Sequence, residues 1–130
     1  MAGKLTLRLG QVIDAIRARS PRAIIVMVPY PRVIPDQAQR CAAVGLVDAD
    51  ADYLATLGQQ LEDAMVGTAN AHGALVADVY VDSDDHGPCA DEANRWVNGA
   101  VPAGSGTSFH PTARGHEAMA AKVRQVLEQQ

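Results

Sequence analysis

Two short apolar runs limit what this chain can fold into more than any other feature of it. The first is Ala23 to Val28 (Ala-Ile-Ile-Val-Met-Val), and the second is Ala74 to Tyr80 (Ala-Leu-Val-Ala-Asp-Val-Tyr). The first is closed by Pro29-Tyr30-Pro31, and Gly73 precedes the second. Because its apolar residues are unbroken rather than alternating, the first reads as a strand buried on two faces, the kind found in parallel sheets, and the second reads as another strand of that sheet. A helical stripe separates them, from about Asp50 to about His72, with Tyr53, Leu54, Leu57, Leu61, Ala64, Met65 and Ala69 on its apolar side. Asp48, Asp50 and Asp52 crowd its start, where negative charge suits the helix dipole. Parallel strands joined by a crossover helix are what this order predicts.

The flanks extend the pattern. Residues 4–19 read as a helix with Leu5, Leu9, Val12, Ile13 and Ile16 inward and Asp14, Arg17 and Arg19 outward. Ser20-Pro21 stops it. Residues 32–49 show little pattern. Residues 81–109 are rich in Gly, Pro, Ser and Asp, and loops this long are usually functional. A last helix is expected from about Pro111 to Leu127, with Pro111 in its first turn and Met119, Val123, Val126 and Leu127 inward. The fold class is therefore α/β. Two strands of the buried type do not make a sheet that covers itself. Residues 1–130 are expected to form a single partial domain, its sheet completed by self-association or by a second chain.

Composition narrows the function. A chain of 130 residues is one domain or part of one. At 48% hydrophobic and 20% charged residues it has the makings of a packed core. With a net charge of −4, 4% aromatics and no basic patch, no nucleic-acid partner is expected. No apolar run approaches the ~20 residues needed to span a bilayer, so no transmembrane segment is expected. Met1-Ala2-Gly3-Lys4-Leu5 runs straight into a helical pattern, and no signal peptide is expected in this chain. Cys41 and Cys89 are either two reduced thiols or one long-range disulfide; their polar, loop-like surroundings lean toward the bond, which would contribute about 4 kcal/mol in the chain-entropy model.

In open α/β sheets, ligands gather at the carboxyl ends of the strands. Tyr30-Pro31-Arg32, Asp82-Ser83-Asp84-Asp85-His86 and Phe109-His110-Pro111 all fall near that end. His110, just before a helix and with a reference pKa of about 6.5, is the candidate general base. Tyr30 and Arg32 read either as the mouth of a pocket or as turn residues. Trp96 reads either as a substrate platform or as a loop anchor. His86, Cys89, His110 and His116 are residue types that bind zinc, but the step from His110 to His116 is not a usual ligand pair, and no metal is expected. Asp82 to Gly87 begins like a calcium loop, yet Ala93 stands where the bidentate glutamate belongs, which rules out an EF-hand.

Ser108-Phe109-His110-Pro111-Thr112-Ala113-Arg114-Gly115-His116 resembles the histidine block of the SGNH (GDSL-type) hydrolases, a family of secreted esterases and lipases. Tyr30-Pro31-Arg32 after a strand, Asp85-His86-Gly87-Pro88-Cys89 and Trp96-Val97-Asn98-Gly99 extend the resemblance from about Ile16 to Leu127. It implies the C-terminal half of a three-layer α/β/α, flavodoxin-like domain that hydrolyses small-molecule or lipid esters outside the cell, without a cofactor. His110 matches the base of that family. The family's acid usually stands three residues earlier, where this chain has Thr107, so the resemblance implies a Ser–His dyad with the Thr107 backbone carbonyl as orienter. Cys41 and Cys89 match the positions where secreted relatives close a disulfide.

The family's Gly-Asp-Ser nucleophile motif and its Gly-x-Asn-Asp oxyanion motif do not occur in this sequence. Ser20, Ser83, Ser105 and Ser108 are poorly placed to substitute. The expectation is a base half of an esterase site, inactive on its own. The competing expectation is a non-catalytic α/β remnant that binds a partner.

Overall fold

A computed structural model of the chain describes residues 2–102 and 106–130. The elements follow in the order α1 (Ala2–Arg19), β1 (Val26–Met27), α2 (Asp48–Ala71), β2 (Leu75–Val76), α3 (Val79–Asp82) and α4 (Ala113–Glu128). Short 3-10 turns lie at Gln37–Gln39, Ala42–Val44 and Asp84–His86. The strands pair in parallel, Val26 opposite Leu75 and Met27 opposite Val76. Bonds from Leu75 N–H to Ile25 O and from Ala77 N–H to Met27 O, both 2.9 Å, lock the register. The crossover α/β order expected from sequence is present, as one piece of a three-layer sheet.

The strands differ from expectation in two ways. The second run does not stay extended to Tyr80. Asp78 accepts from the N–H groups of Tyr80 (3.1 Å) and Val81 (3.2 Å), capping α3 and turning Val79 and Tyr80 into a helix. The first run is not buried on both faces either. Residues 25–28 are half-buried and Ile24 is 58% exposed, because β1 has a single neighbouring strand among the described residues.

Helix α2 ends as glycine chemistry dictates. Gly73 takes a left-handed φ of +65°, while the N–H groups of Gly73 and Ala74 return to the carbonyls of Asn70 (3.3 Å) and Ala69 (2.8 Å). Arg17 of α1 donates to the carbonyls of His72 and Gly73 at 3.2 and 2.9 Å, placing a cation at the negative end of that helix. Asp14 pairs with His72 Nδ1 at 2.8 Å, and Gly10 lets the two helices approach: a Cβ there would stand 2.5 Å from His72 Nε2. Of the five α1 residues expected inward, Ile13 is buried and Leu5 and Leu9 half-buried, whereas Val12 and Ile16 are exposed.

The inward face of α2 is rotated from its bulkiest stripe. Ala51, Glu62, Thr68 and Ala69 are buried, while Tyr53, Leu54 and Leu61 are exposed. Small residues bring the helix axis close to what it covers, and the leucines project to one side. Two core clusters result. Ile13, Ala69 and Ala74, with Ile25, Met27 and Val76, join α1, α2 and the sheet. Ile34, Val44 and Ala51, with Val33, Leu46, Ala55, Cys89 and Phe109, join the connecting segments to the start of α2. No described helix is long and apolar enough to cross a membrane.

Candidate active site

The segment before α4 is a narrow antiparallel ribbon. Thr112 N–H donates to Trp96 O (2.8 Å), Asn98 N–H to His110 O (3.0 Å) and Phe109 N–H to Gly99 O (3.2 Å), with Val97 facing Pro111. Pro111 therefore lies in the ribbon and not in the first helical turn. The cap is Thr112, whose hydroxyl accepts from Gly115 N–H at 3.1 Å and donates to Arg95 O at 2.9 Å. Glycine at 99 and 115 permits backbone contact: a Cβ would fall 2.1 Å from Ala43 O in the first case and 2.2 Å from Trp96 O in the second. The resemblance segments Trp96 to Gly99 and Ser108 to His116 thus act as two sides of one scaffold.

That scaffold carries His110. Its imidazole is exposed, and Nδ1 lies 2.8 Å from the carbonyl oxygen of Ser108. Thr107 was the expected orienter; its carbonyl instead receives the backbone N–H of His110 at 3.2 Å and the Asn98 side-chain amide at 3.4 Å. The carbonyl that meets the ring is one residue further on, because the chain bends sharply at Phe109, where φ is +58°. A carbonyl can only accept, so Nδ1 is the nitrogen that donates in this contact, and in the neutral ring the lone pair is on Nε2.

Beside the ribbon lies an apolar groove of about 400 Å³. Tyr30, Ile34 and Phe109 form part of its wall, facing Leu54, Leu57 and Leu61 of α2. Arg32 and Glu62 are its charged members. Arg32 is neutralised in place: it lies 2.9 Å from Asp36 and 2.8 Å from Asp84, and its guanidinium sits 4.7 Å above the Tyr80 ring. Glu62 accepts from Gln59 at 3.0 Å. Burial, then the charge of Asp78 and the neighbouring Asp63, raises its carboxyl above the ordinary range. Burial also raises the Tyr30 phenol.

The candidates from sequence divide. Tyr30 and Arg32 line the groove, and Phe109 joins it to His110. Trp96 does not line it: its indole stacks on His86, centroids 4.1 Å apart, and anchors the loop. Cys41 and Cys89 form a disulfide, so Cys89 is unavailable as a metal ligand. Among the described residues, no three His, Cys, Asp or Glu converge to hold a metal. Ser83 is buried, donating to Tyr80 O (2.8 Å) and accepting from Arg32 N–H (2.7 Å). Ser108 Oγ is turned to Ala100 O at 2.7 Å. Ser105 lies outside the described residues.

Sequence reasoning missed Glu62 and Tyr80 as groove residues, and it put the Phe109 segment near the site without foreseeing its bend. For Glu62 a signal exists, since residues 58, 62, 65 and 69 share a helical face that ends on the buried Ala69. For the bend at Phe109 none exists, because a bulky residue at positive φ is an outlier at any sequence position.

Parallel strands crossed over by α2, with a histidine ribbon and an apolar groove, define an α/β protein of the three-layer type, represented here in part. The model of the GDSL-like Lipase/Acylhydrolase family matches residues 2–118, and the chain belongs to that family. Lipase 2 of Streptomyces coelicolor is 30% identical over 121 residues, covering 92% of this chain and 41% of the relative. Among solved structures, phospholipase A1 of Streptomyces albidoflavus is similar with a TM-score of 0.77 at 25% identity. The extracellular lipase of Streptomyces rimosus gives 0.78 at 27% identity. Each alignment covers 94% of this chain and 50% of the solved one. This chain therefore spans half or less of the length of these relatives.

Proposed function

We propose that residues 1–130 supply the base and the acyl-chain groove of a serine-type carboxylic ester hydrolase. The observation that carries this reading is His110: Nδ1 bonded to a backbone carbonyl, Nε2 open, and the ring one residue from the wall of an apolar groove. In that role Nε2 takes the proton of a serine hydroxyl as it attacks the ester carbonyl, then returns it to the leaving alcohol. The Ser108 carbonyl fixes the tautomer, without the full negative charge that a carboxylate would add. The groove accommodates the acyl part of a small-molecule or lipid ester. Neither Ser83 nor Ser108 has a hydroxyl free to be the nucleophile, and the Gly-Asp-Ser motif does not occur in the sequence; on this reading the chain by itself is inactive.

On this reading the parent enzyme works outside the cell. Support comes from the Cys41–Cys89 bond, a feature characteristic of oxidising compartments, and from the similar Streptomyces rimosus protein, which is described as extracellular.

The test has two parts. Purified chain is treated with a serine-reactive fluorophosphonate and assayed on short p-nitrophenyl esters; neither labelling nor turnover is expected. The same assays are run on any in-frame product extended upstream to a Gly-Asp-Ser motif. There both signals are expected, and turnover disappears in His110→Ala. Stoichiometric labelling of the 130-residue chain would overturn the absence of a nucleophile. Turnover that survives His110→Ala would overturn the role of His110.

A second reading, a non-catalytic half-domain that associates through its open sheet, is favoured by the exposure of Ile24 on β1 and of Val12 and Ile16 on α1. It predicts a dimer at micromolar concentration and no turnover in any extended form.

A further inference from the structure

The bend at Phe109 invites the question of what holds it. A bulky side chain at φ +58° sits in a sparsely populated region that costs on the order of 1–3 kcal/mol, so the surroundings must over-determine it. Three constraints meet there. The Phe109 N–H donates to Gly99 O at 3.2 Å. Its ring packs on the cluster of Ile34, Val44 and Ala51. Its carbonyl accepts from the Tyr30 hydroxyl at 3.3 Å, across 79 residues of sequence. The first two fix the residue; the third, together with the bond from His110 N–H to Thr107 O (3.2 Å), fixes the peptide plane that leads into His110.

We infer that Tyr30 is a positioning residue for His110: its hydroxyl holds the Phe109–His110 peptide in the orientation that delivers the imidazole Nδ1 to the Ser108 carbonyl. With the carbonyl end of that plane released and only its N–H end still held by Thr107 O, the distance from Nδ1 to Ser108 O is less tightly set, and the ring samples the tautomer that protonates Nε2 more often. The arrangement also connects two parts of the site. Tyr30 and Phe109 both line the groove, so a ligand filling the groove presses on the pair that aims the base. Burial keeps the Tyr30 phenol protonated, and so a donor, to higher pH than usual.

The inference takes its significance from the reading of His110 as a base, but its test does not depend on turnover. Side-chain 1H–15N correlation spectra of the 15N-labelled chain report which ring nitrogen of each histidine is protonated. Wild type is expected to show His110 as the Nδ1–H tautomer. In Tyr30→Phe the ratio of aligned to unaligned rings is expected to fall about two- to tenfold, the effect of losing one neutral hydrogen bond. His72, His86 and His116 are expected to be unchanged, as is every histidine in Tyr53→Phe, which alters an exposed tyrosine away from Phe109. Raising the pH of the wild type supplies a second readout that needs no variant: when Tyr30 ionises, its donor is lost and the His110 signature shifts in step.

An unchanged His110 signature in Tyr30→Phe, or one that ignores the Tyr30 titration, would overturn the inference and leave the base reading intact. Turnover that survives His110→Ala would overturn the base reading and leave the positioning contact intact.

Discussion

The Nδ1 atom of His110 lies 2.8 Å from the carbonyl oxygen of Ser108, two residues before it in the chain. A histidine oriented by its own loop needs no distant carboxylate, only a loop that keeps its shape. Much of the surrounding structure is placed to do that.

The first expectation concerns the ring itself. His110→Gln keeps a polar, exposed side chain of similar size, so the unfolding free energy should stay within about 0.5 kcal/mol of wild type by urea titration. In any upstream-extended form that turns over esters, the same substitution should lower kcat by a factor of about 10⁴ to 10⁶. A loss of a few-fold would mean that the proton goes elsewhere.

Gly115 is the tightest point beneath the site. A Cβ there would fall 2.2 Å from Trp96 O, a backbone atom that also accepts from Thr112 N–H. Gly115→Ala should therefore part α4 from the ribbon and cost about 2–3 kcal/mol, more than the gain of ~1 kcal/mol that alanine brings to a helix. Chemical denaturation reads the difference directly.

The disulfide secures the segment beneath Phe109. Cys41 and Cys89 are 48 residues apart, and Cys89 packs on the same cluster as the Phe109 ring. Replacing both with serine should lower stability by about 4 kcal/mol in the chain-entropy model. The groove should loosen with it, seen as weaker binding of a neutral fluorescent dye such as Nile red. A stability change under about 1 kcal/mol would show that the unfolded chain gains little freedom without the bond.

Glu62 gives a pH dependence of definite sign. Its folded carboxyl is raised above the reference of 4.5 by burial first, then by Asp78 and Asp63. The folded state therefore binds more protons than the unfolded state between those two values, and stability falls as pH rises through that window. Gln59 donates to Glu62, and among the described residues no cation forms an ion pair with it. Glu62→Gln should raise stability at pH 7 to 8 by about 1 kcal/mol, with the gain vanishing near pH 4. Thermal melts at the two pH values measure it; an equal gain at both would assign the effect to packing.

What the sequence determined here is local and periodic. The α2 helix and its Gly73 stop, the parallel crossover and the histidine ahead of α4 follow from spacing and residue type, which act over a few residues. The family was legible in the histidine block and the Trp96-Val97-Asn98-Gly99 segment for the same reason: each is a contiguous string.

Tertiary structure decided the rest. Asp78 curtailed the second strand because a capped turn competed successfully with one more rung of a two-stranded ladder. The buried face of α2 went to Ala51, Thr68 and Ala69 because close approach to what the helix covers favours small side chains over the bulky stripe. Trp96 went to His86 and not to the groove. The carbonyl that meets His110 Nδ1 is that of Ser108 and not that of Thr107 because Phe109, held by Gly99, a core cluster and Tyr30, bends the backbone in a way that no run of neighbouring residues encodes. Contacts across 79 residues of chain are made by the fold, and so the aim of His110 belongs to the fold as well.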